Sequence, residues 1–413
     1  MKKSVPVAEL KMGMYVVELD RPWIETPFMF QGFYLESDEQ LQTLKKYCKT
    51  VFVDPDPPKL AEPIALKPFA PAPRPAASAG ASQLDLSRIG KARYVELAPV
   101  EREVTQAGLA YQGTTHLASE AVEAVRAGRA LDTPRVEQAV RGMTESVLRN
   151  PDALLLFSQL KEKGDYTTSH SVDVAVYMTA FGRFLQLPTE DISLLGYLGL
   201  LQDVGKTRLP TKLLNKRNRL TEAEYAHAKQ HVQYSVEILR ETPGLPPGLP
   251  ELALLHHERQ DGSGYPKGLK GKEIGLLGSI AGMVDTFDAL TARRPYAEPV
   301  APSAALSMLY KGRGSLFDPV LIEQFIRCIG IFPLGSTVEL NSGEIGIVIA
   351  QNVEKRLQPR VMVIRDAAGN PLKPQKLLDL SRGLKAPNGE PYRIRRTLEY
   401  GRVPVTVEGL FNA

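Results

Sequence analysis

The spacing of apolar positions changes character along the chain, and each change predicts a different kind of element. Over residues 1–58, short apolar runs (Met14-Tyr15-Val16-Val17, Phe28-Met29-Phe30, Val51-Phe52-Val53) alternate with turns around one helical stretch at 39–47, which predicts a small strand-rich domain. Residues 59–88 turn to proline and alanine, with Pro68, Pro71, Pro73 and Pro75 among small residues. Proline lacks a backbone N–H and disfavours both helix and central strand, so this stretch reads as a semi-extended linker. Apolar residues then recur at helical spacing over 104–148, and Asp132-Thr133-Pro134 marks a helix start, so 89–150 reads as a helical connector. Helical spacing continues through 151–332, with segments at 153–160, 170–185, 191–201, 221–239, 251–258, 277–290 and 304–312. Beyond Phe332 the period shortens again: runs at 336–340, 345–349 and 361–364, parted by turn residues at 341–343 and 366–370, predict a small β appendage over 333–413. The fold class expected is multidomain and mainly α, an all-α core between two small β regions.

Composition narrows the function classes. With 413 residues, 43% hydrophobic and 24% charged, the chain is long enough for two or three domains and at least one sizeable core. A net charge of +4 with dispersed basic residues gives no support to binding of a nucleic-acid polymer, though a small phosphate-bearing ligand is compatible. Two distant cysteines, Cys48 and Cys328, argue against a disulfide framework and for a reducing compartment. No apolar run follows Met1-Lys2-Lys3 at signal-peptide length and none is long enough for a membrane span, so a cytoplasmic protein is expected.

The chemistry concentrates in the helical region. Five of the six histidines (His170, His227, His231, His256 and His257) fall there, with Gln202-Asp203-Val204-Gly205-Lys206 and Asp285. Asp203 ends a very apolar helix, where a charge is costly unless paired or bound to a cation. Asp285 follows Ile280-Ala281-Gly282-Met283-Val284 and Asp288 lies one turn on; one of these two acids is expected to face inward. His227 and His231 sit four apart on one helical face, a spacing that suits a metal pair. His256 and His257 point about 100° apart on a helix, so they serve one metal only if one closes from a helix end. The glycine turn that follows them, Asp261-Gly262-Ser263-Gly264-Tyr265-Pro266, makes that feasible. Each histidine taken singly is most simply structural; together with the carboxylates they point to a metal. Lys206 offers an ammonium to a phosphate or a cation to a helix C-terminus, and Arg293-Arg294 offers a guanidinium fork or a solvated pair.

These segments, with Val284-Asp285-Thr286-Phe287-Asp288-Ala289-Leu290 and Arg294-Pro295-Tyr296, resemble the HD-GYP family over residues 151–332. That family is a subgroup of the HD phosphohydrolases that hydrolyses the bacterial second messenger cyclic di-GMP. The first domain, through Gly13-Met14-Tyr15-Val16 and Leu19-Asp20-Arg21-Pro22-Trp23, resembles a domain of uncertain function often placed ahead of HD-GYP modules.

The resemblance implies two divalent ions, iron or manganese. His170, Gln202, Asp203 and Asp285 hold one, and Asp203 bridges to a second held by His231, His256 and His257, with His227 left at the surface. It further implies Asp203 and Lys206 as catalytic, Lys206 and Arg294 as phosphate contacts, and Tyr265 as shaping the guanine side of the pocket. The implied reaction is in-line hydrolysis of cyclic di-GMP to pGpG and onward to GMP. A diguanylate cyclase is an implied type of partner, and a homodimer an implied assembly. Gln202 departs from the pattern, standing where the family carries a histidine; its amide oxygen is a poorer ligand, so the first ion is expected to bind less tightly. The carboxylate that holds a third ion in some members is not matched, since Tyr166 stands there and Asp165 is one residue off, and Ala297 replaces a common basic residue. The alternative is a catalytically impaired member that binds cyclic di-GMP or a partner and signals by conformation.

Overall fold

The structure, a computed structural model, describes residues 3–21, 33–35, 37–54, 84–160, 166–216, 218–292, 299–398 and 405–411. Most of the proline-rich stretch, the run 28–30, Asp165, Arg293, Arg294 and Ala297 lie outside these residues.

The N-terminal region forms a four-stranded antiparallel sheet from β1 (Lys3–Pro6), β2 (Tyr15–Leu19), β3 (Phe33–Tyr34) and β4 (Thr50–Asp54), in the order β1-β4-β2-β3. Helix α1 (Asp38–Tyr47) starts at Ser37, whose hydroxyl accepts from Gln40 N–H while the Gln40 side chain accepts from Ser37 N–H, a reciprocal capping box. Val16, Leu35, Leu44 and Val51 make a small core of their own.

A second, larger core draws on most of the buried apolar residues described from Leu84 onward, in the helices and in the C-terminal sheet. Helices α2 (Val100–Arg126) and α3 (Thr133–Arg149) pack on α4 (Pro151–Leu160), α5 (Tyr166–Phe184) and α6 (Thr189–Leu201). Asp132 caps α3 with Pro134 in its first turn, where a missing N–H costs nothing. Short helices α7 (Thr211–Leu214), α8 (Glu222–Lys229), α9 (His231–Glu241) and α10 (Leu249–Ala253) lead to the buried α11 (Gly275–Thr291), then α12 (Pro302–Lys311) and α13 (Pro319–Ile329).

The C-terminal sheet, in the order β8-β7-β6-β5-β9, is antiparallel throughout: β5 (Thr337–Leu340), β6 (Ile345–Ala350), β7 (Arg360–Arg365), β8 (Pro371–Asp379) and β9 (Ile394–Thr397). A final short helix, α14 (Val407–Phe411), contacts α4. Val348, Ile349, Val361 and Val363 continue the helical core without a break, so this sheet is welded to the helices by apolar burial. No helix among the described residues is long and apolar enough to cross a membrane.

Three local expectations need correction. The helix predicted over 221–239 is two helices parted at Gln230, because the His231 ring takes the Ala228 carbonyl that an uninterrupted helix would give to residue 232. The helix predicted over 251–258 stops at Ala253, and residues 254–257 form a turn. Asp285 and Asp288 both face inward rather than one of them, since a single imidazole, His170, lies between their carboxylates.

Candidate metal centre

Four segments converge on one buried spot. His170 lies in the second turn of α5; Gln202 closes α6; Asp203 starts the 3-10 turn Val204–Arg208; His231 opens α9. His256 and His257 stand in the turn beyond α10, with ring centroids 4.1 Å apart, so both imidazoles reach the same point from just past a helix end. Asp285 comes from the middle of α11. His170, Gln202, Asp203, His231, His256 and Asp285 are all buried.

Glycines permit the convergence. A Cβ on Gly205 would overlap the His231 carbonyl and the Ser235 backbone nitrogen, so only glycine lets the turn after Asp203 lie against α9. A Cβ on Gly264 would stand 2.5 Å from the Glu258 Cα and from the His257 carbonyl oxygen, so the glycine turn folds back onto the histidine pair. Glu258 holds the other limb of that turn by accepting from the N–H groups of Lys267 and Leu269 at 2.8 and 2.9 Å. Arg259, buried beneath, donates to the carbonyls of His256 and Glu258.

The donor atoms fall into two groups, each with ligand atoms within 4.8 Å of one another: Asp203, His231, His256 and His257, and His170, Asp203 and Asp285. Asp203 belongs to both. Its Oδ1 lies 3.2 Å from His231 Nε2 and its Oδ2 lies 3.3 Å from His170 Nε2. Lys206 adds an ammonium 2.7 Å from Oδ2.

The protonation pattern turns lone pairs inward. His231 Nδ1 lies 2.7 Å from the Ala228 carbonyl and His256 Nδ1 lies 2.7 Å from the Ala253 carbonyl. A carbonyl only accepts, so these Nδ1 atoms carry the protons and each neutral ring presents a bare Nε2. The two Nε2 atoms then face each other at 3.4 Å, with His257 Nε2 3.2 Å from that of His231. His170 lies among carboxylates on both sides, its Nδ1 2.6 Å from Asp288 Oδ2 and its Nε2 3.1 Å from Asp285 Oδ1 and 3.3 Å from Asp203 Oδ2. Acceptors so close repel unless a cation sits among them. Asp203 Oδ1 and Gln202 Oε1, both buried, have no hydrogen-bond partner among the described residues. Buried acceptors left so are costly, and a divalent ion satisfies them; the donor set fits a metal.

Electrostatics agree with that reading. Burial holds the His257 imidazole well below its ordinary pKa, helped by His256, His231 and Arg259. Burial also lowers His231, against the pull of Asp203. For Asp203 burial opposes ionisation, yet Lys206 and the surrounding imidazoles outweigh it and keep the carboxyl well below the usual range. Asp285 is lowered too, its burial outweighed by His170. Near neutral pH the His231 and His257 imidazoles are therefore neutral and Asp203 and Asp285 are charged, the forms a metal takes.

The remaining predicted residues divide. Tyr265 stacks on His257 (4.6 Å between centroids, 25° between planes) and meets Tyr225 edge-on, so its ring braces the histidine pair. Burial and Tyr225 push its phenol well above its usual pKa, leaving it a neutral donor. Gln202 turns its amide nitrogen 3.4 Å from Asp285 Oδ1. His227, on α8, is exposed and in neither group. Arg294 lies outside the described residues. Asp288, Glu258 and Arg259 support the centre in ways the sequence reading did not assign; the three-residue step from Asp285 to Asp288 was the one available signal, since it puts both on one face of α11.

The comparisons with known proteins cover all three regions. A family model described as an HD domain matches residues 155–321, a domain of unknown function (DUF3391) matches 2–136, and a KOW domain associated with the HD domain matches 337–386. A cyclic di-GMP phosphodiesterase of Pseudomonas aeruginosa is 33% identical over 384 residues, 92% of this chain and 90% of that protein. A cyclic di-GMP phosphodiesterase of Thermotoga maritima is 41% identical over 129 residues, 31% of this chain and 35% of that protein. A 3′3′-cGAMP-specific phosphodiesterase of Vibrio cholerae is 34% identical over 171 residues, 41% of this chain and 37% of that protein. Matched nearly end to end by the first of these, and with the HD domain spanning the helices that carry the histidines, the chain belongs to the HD-GYP family.

Proposed function

We propose that this chain is a metal-dependent phosphodiesterase that opens cyclic di-GMP to pGpG, with GMP as the further product, using two divalent ions, iron or manganese. The observation that carries this reading is the Asp203 carboxylate, shared between two groups of donors whose ring nitrogens turn lone pairs inward. Divalent ions bound there supply Lewis acidity, lowering the pKa of water and offsetting charge that builds on the phosphate oxygens.

The chain's own residues do the rest. Asp203 stays ionised and spans the two halves, while His231, His256 and His257 complete one and His170 with Asp285 the other. Asp288 keeps the His170 proton on Nδ1, so that Nε2 remains a donor of electrons rather than of a proton. Gln202 offers its otherwise unpartnered amide oxygen to the carboxylate-rich half. Lys206, partly exposed beside Asp203, contacts an oxygen of the scissile phosphate. Arg294 takes a further phosphate contact, and Tyr265 shapes the guanine side through the turn that carries it.

The test is anaerobic incubation of the purified chain, loaded with ferrous iron or manganese, with cyclic di-GMP and in parallel with 3′3′-cGAMP, followed by separation of the nucleotides. Formation of pGpG or GMP that disappears in Asp203→Ala is the expected outcome. Turnover confined to 3′3′-cGAMP would reassign the substrate. Cyclic di-GMP bound but unchanged would make the chain an effector with a defective metal centre, the alternative that Gln202 permits.

A further inference from the structure

A second charged site lies away from the metal centre. At the seam between the helices and the C-terminal sheet, the start of α4, the end of α5, the end of α13 and the connection between β6 and β7 enclose a cavity of about 70 Å³. Arg183, Arg327 and Arg356 line it, with Asp152 as the one carboxyl. Arg183 is thirteen residues beyond His170 on α5, about 20 Å along the helix axis, so this cavity is separate from the metal centre.

We propose that this cavity binds a tetrahedral oxyanion, either inorganic phosphate or the terminal phosphate of a small phosphomonoester. Arg327 and Arg356 have no ion-pair or hydrogen-bond partner among the described residues, although each lies beside the cavity. Arg183 spends its Nε on the Leu148 carbonyl and one terminal nitrogen on the Val95 carbonyl, neither of which offsets its charge. Three arginines thus line a cavity whose one lining carboxyl, Asp152, accepts the Gln351 N–H through Oδ2 at 2.8 Å. Glu96, which also accepts from Asn150, lies within electrostatic range of both Asp152 and Arg183 and offsets part of the Arg183 charge, so the cavity's excess positive charge comes from Arg327 and Arg356. The first amides of α4 are also occupied, by Asn150 Oδ1, so the attraction comes from the arginines and not from the helix end.

Burial pushes the Asp152 carboxyl up to about 7, against the Gln351 hydrogen bond and the charges of Arg183 and Arg360. Near neutral pH it is therefore protonated part of the time, and in that form it repels no anion and donates to one. A water needs roughly 10–15 Å³ of such space, so the cavity takes a phosphate group with a few waters but not a nucleoside. Guanidinium forks suit this geometry because they pair two N–H groups with two oxygens of one phosphate. An anion held there bridges α5 and α13 to the β6–β7 connection, clamping the C-terminal sheet to the helix that carries His170.

Hydrogen–deuterium exchange of the full-length chain, with and without millimolar inorganic phosphate and, in a second arm, guanosine monophosphate, tests the site. The expected result is severalfold slower exchange at 327–331 and 351–358 in the wild type, lost in the double variant Arg327→Ala/Arg356→Ala. These side chains are at least partly exposed and the variant should fold, which unchanged exchange in the buried helices α5 and α11 checks. Stronger protection by the nucleotide identifies a phosphomonoester whose organic part rests outside the mouth; equal protection identifies the free ion. Absence of protection at the seam, protection that survives in the double variant, or protection confined to 202–206 and 256–265 would overturn the proposal. None of these outcomes depends on whether the metal centre hydrolyses cyclic di-GMP.

Discussion

The two halves of the metal centre share Asp203 and differ in almost everything else. One half is rich in imidazole: the Nε2 atoms of His256 and His257 lie 3.4 and 3.2 Å from that of His231, and three imidazoles suit iron, manganese or zinc. The other has one imidazole, His170, beside Asp203, Asp285 and the amide of Gln202. On the dinuclear reading proposed above, charge would hold a cation in this second half and donor quality in the first. Metal affinity should therefore be uneven, with the imidazole half filled first and the carboxylate half last.

The largest effect should come from the shared ligand. Asp203→Ala removes a donor from both halves and leaves the Lys206 ammonium against a buried cluster without its counter-charge. Metal analysis of the purified variant should find both ions lost and hydrolysis below detection; a variant that kept one full equivalent of metal would show that the halves are independent. His257→Ala should cut deeply but on one side only: the imidazole half loses a ligand and Tyr265 loses its stacking partner, while the His170 half is untouched. Titration with manganese, followed by paramagnetic resonance, should then lose the tighter of two binding phases.

Asp288→Asn tests the carboxylate half through a residue that touches no metal. Without the charged acceptor, His170 no longer has its proton fixed on Nδ1, and affinity in that half should fall by roughly 10–100-fold. A compensating drop in the other half would contradict the division. Gln202→His should act in the opposite direction, raising affinity in the carboxylate half by replacing an amide oxygen with imidazole; unchanged affinity would mean the glutamine is not what limits that half.

The smallest effect is a pH dependence of the metal-free protein. His231 and His257 are held below their ordinary pKa of about 6.5 by burial, so the unfolded chain binds their protons more readily than the folded one. Their penalty is absent above that pH and grows as pH falls below it. Asp203, lowered in the folded state, contributes stability that is lost only in stronger acid. Urea unfolding of the metal-free chain should show a midpoint that falls as pH drops from about 7.5 toward 5.5, and His257→Ala should flatten that slope.

Much of this centre was legible in the sequence because ligand chemistry is carried by residue type. Buried carboxylates at Asp203 and Asp285 were readable from their apolar neighbours, and the glycine turn after His257 from its composition. What stayed hidden depended on contacts between distant segments. The break at Gln230 arises because a side chain captures a carbonyl from its own backbone, which periodicity does not report. Only one of Asp285 and Asp288 was expected to face inward; Asp288 does so as well because His170, 118 residues earlier, meets its carboxylate. The strands β8 and β9 also escaped notice, since Pro371–Asp379 and Ile394–Thr397 are mostly exposed and show little of the apolar alternation that marks a half-buried strand.

By itself the sequence determined the succession of β, α and β regions, the cap that starts α3, and the inventory of imidazoles and carboxylates available to a metal. These follow from side-chain chemistry and local backbone preference, which each residue carries wherever it is placed. Only the tertiary structure decided which donors share a centre, which proton each ring keeps, and that three arginines from separate helices and a loop enclose one cavity. Those outcomes depend on distances of a few ångströms between segments far apart in the chain, and they are set by how the helices pack.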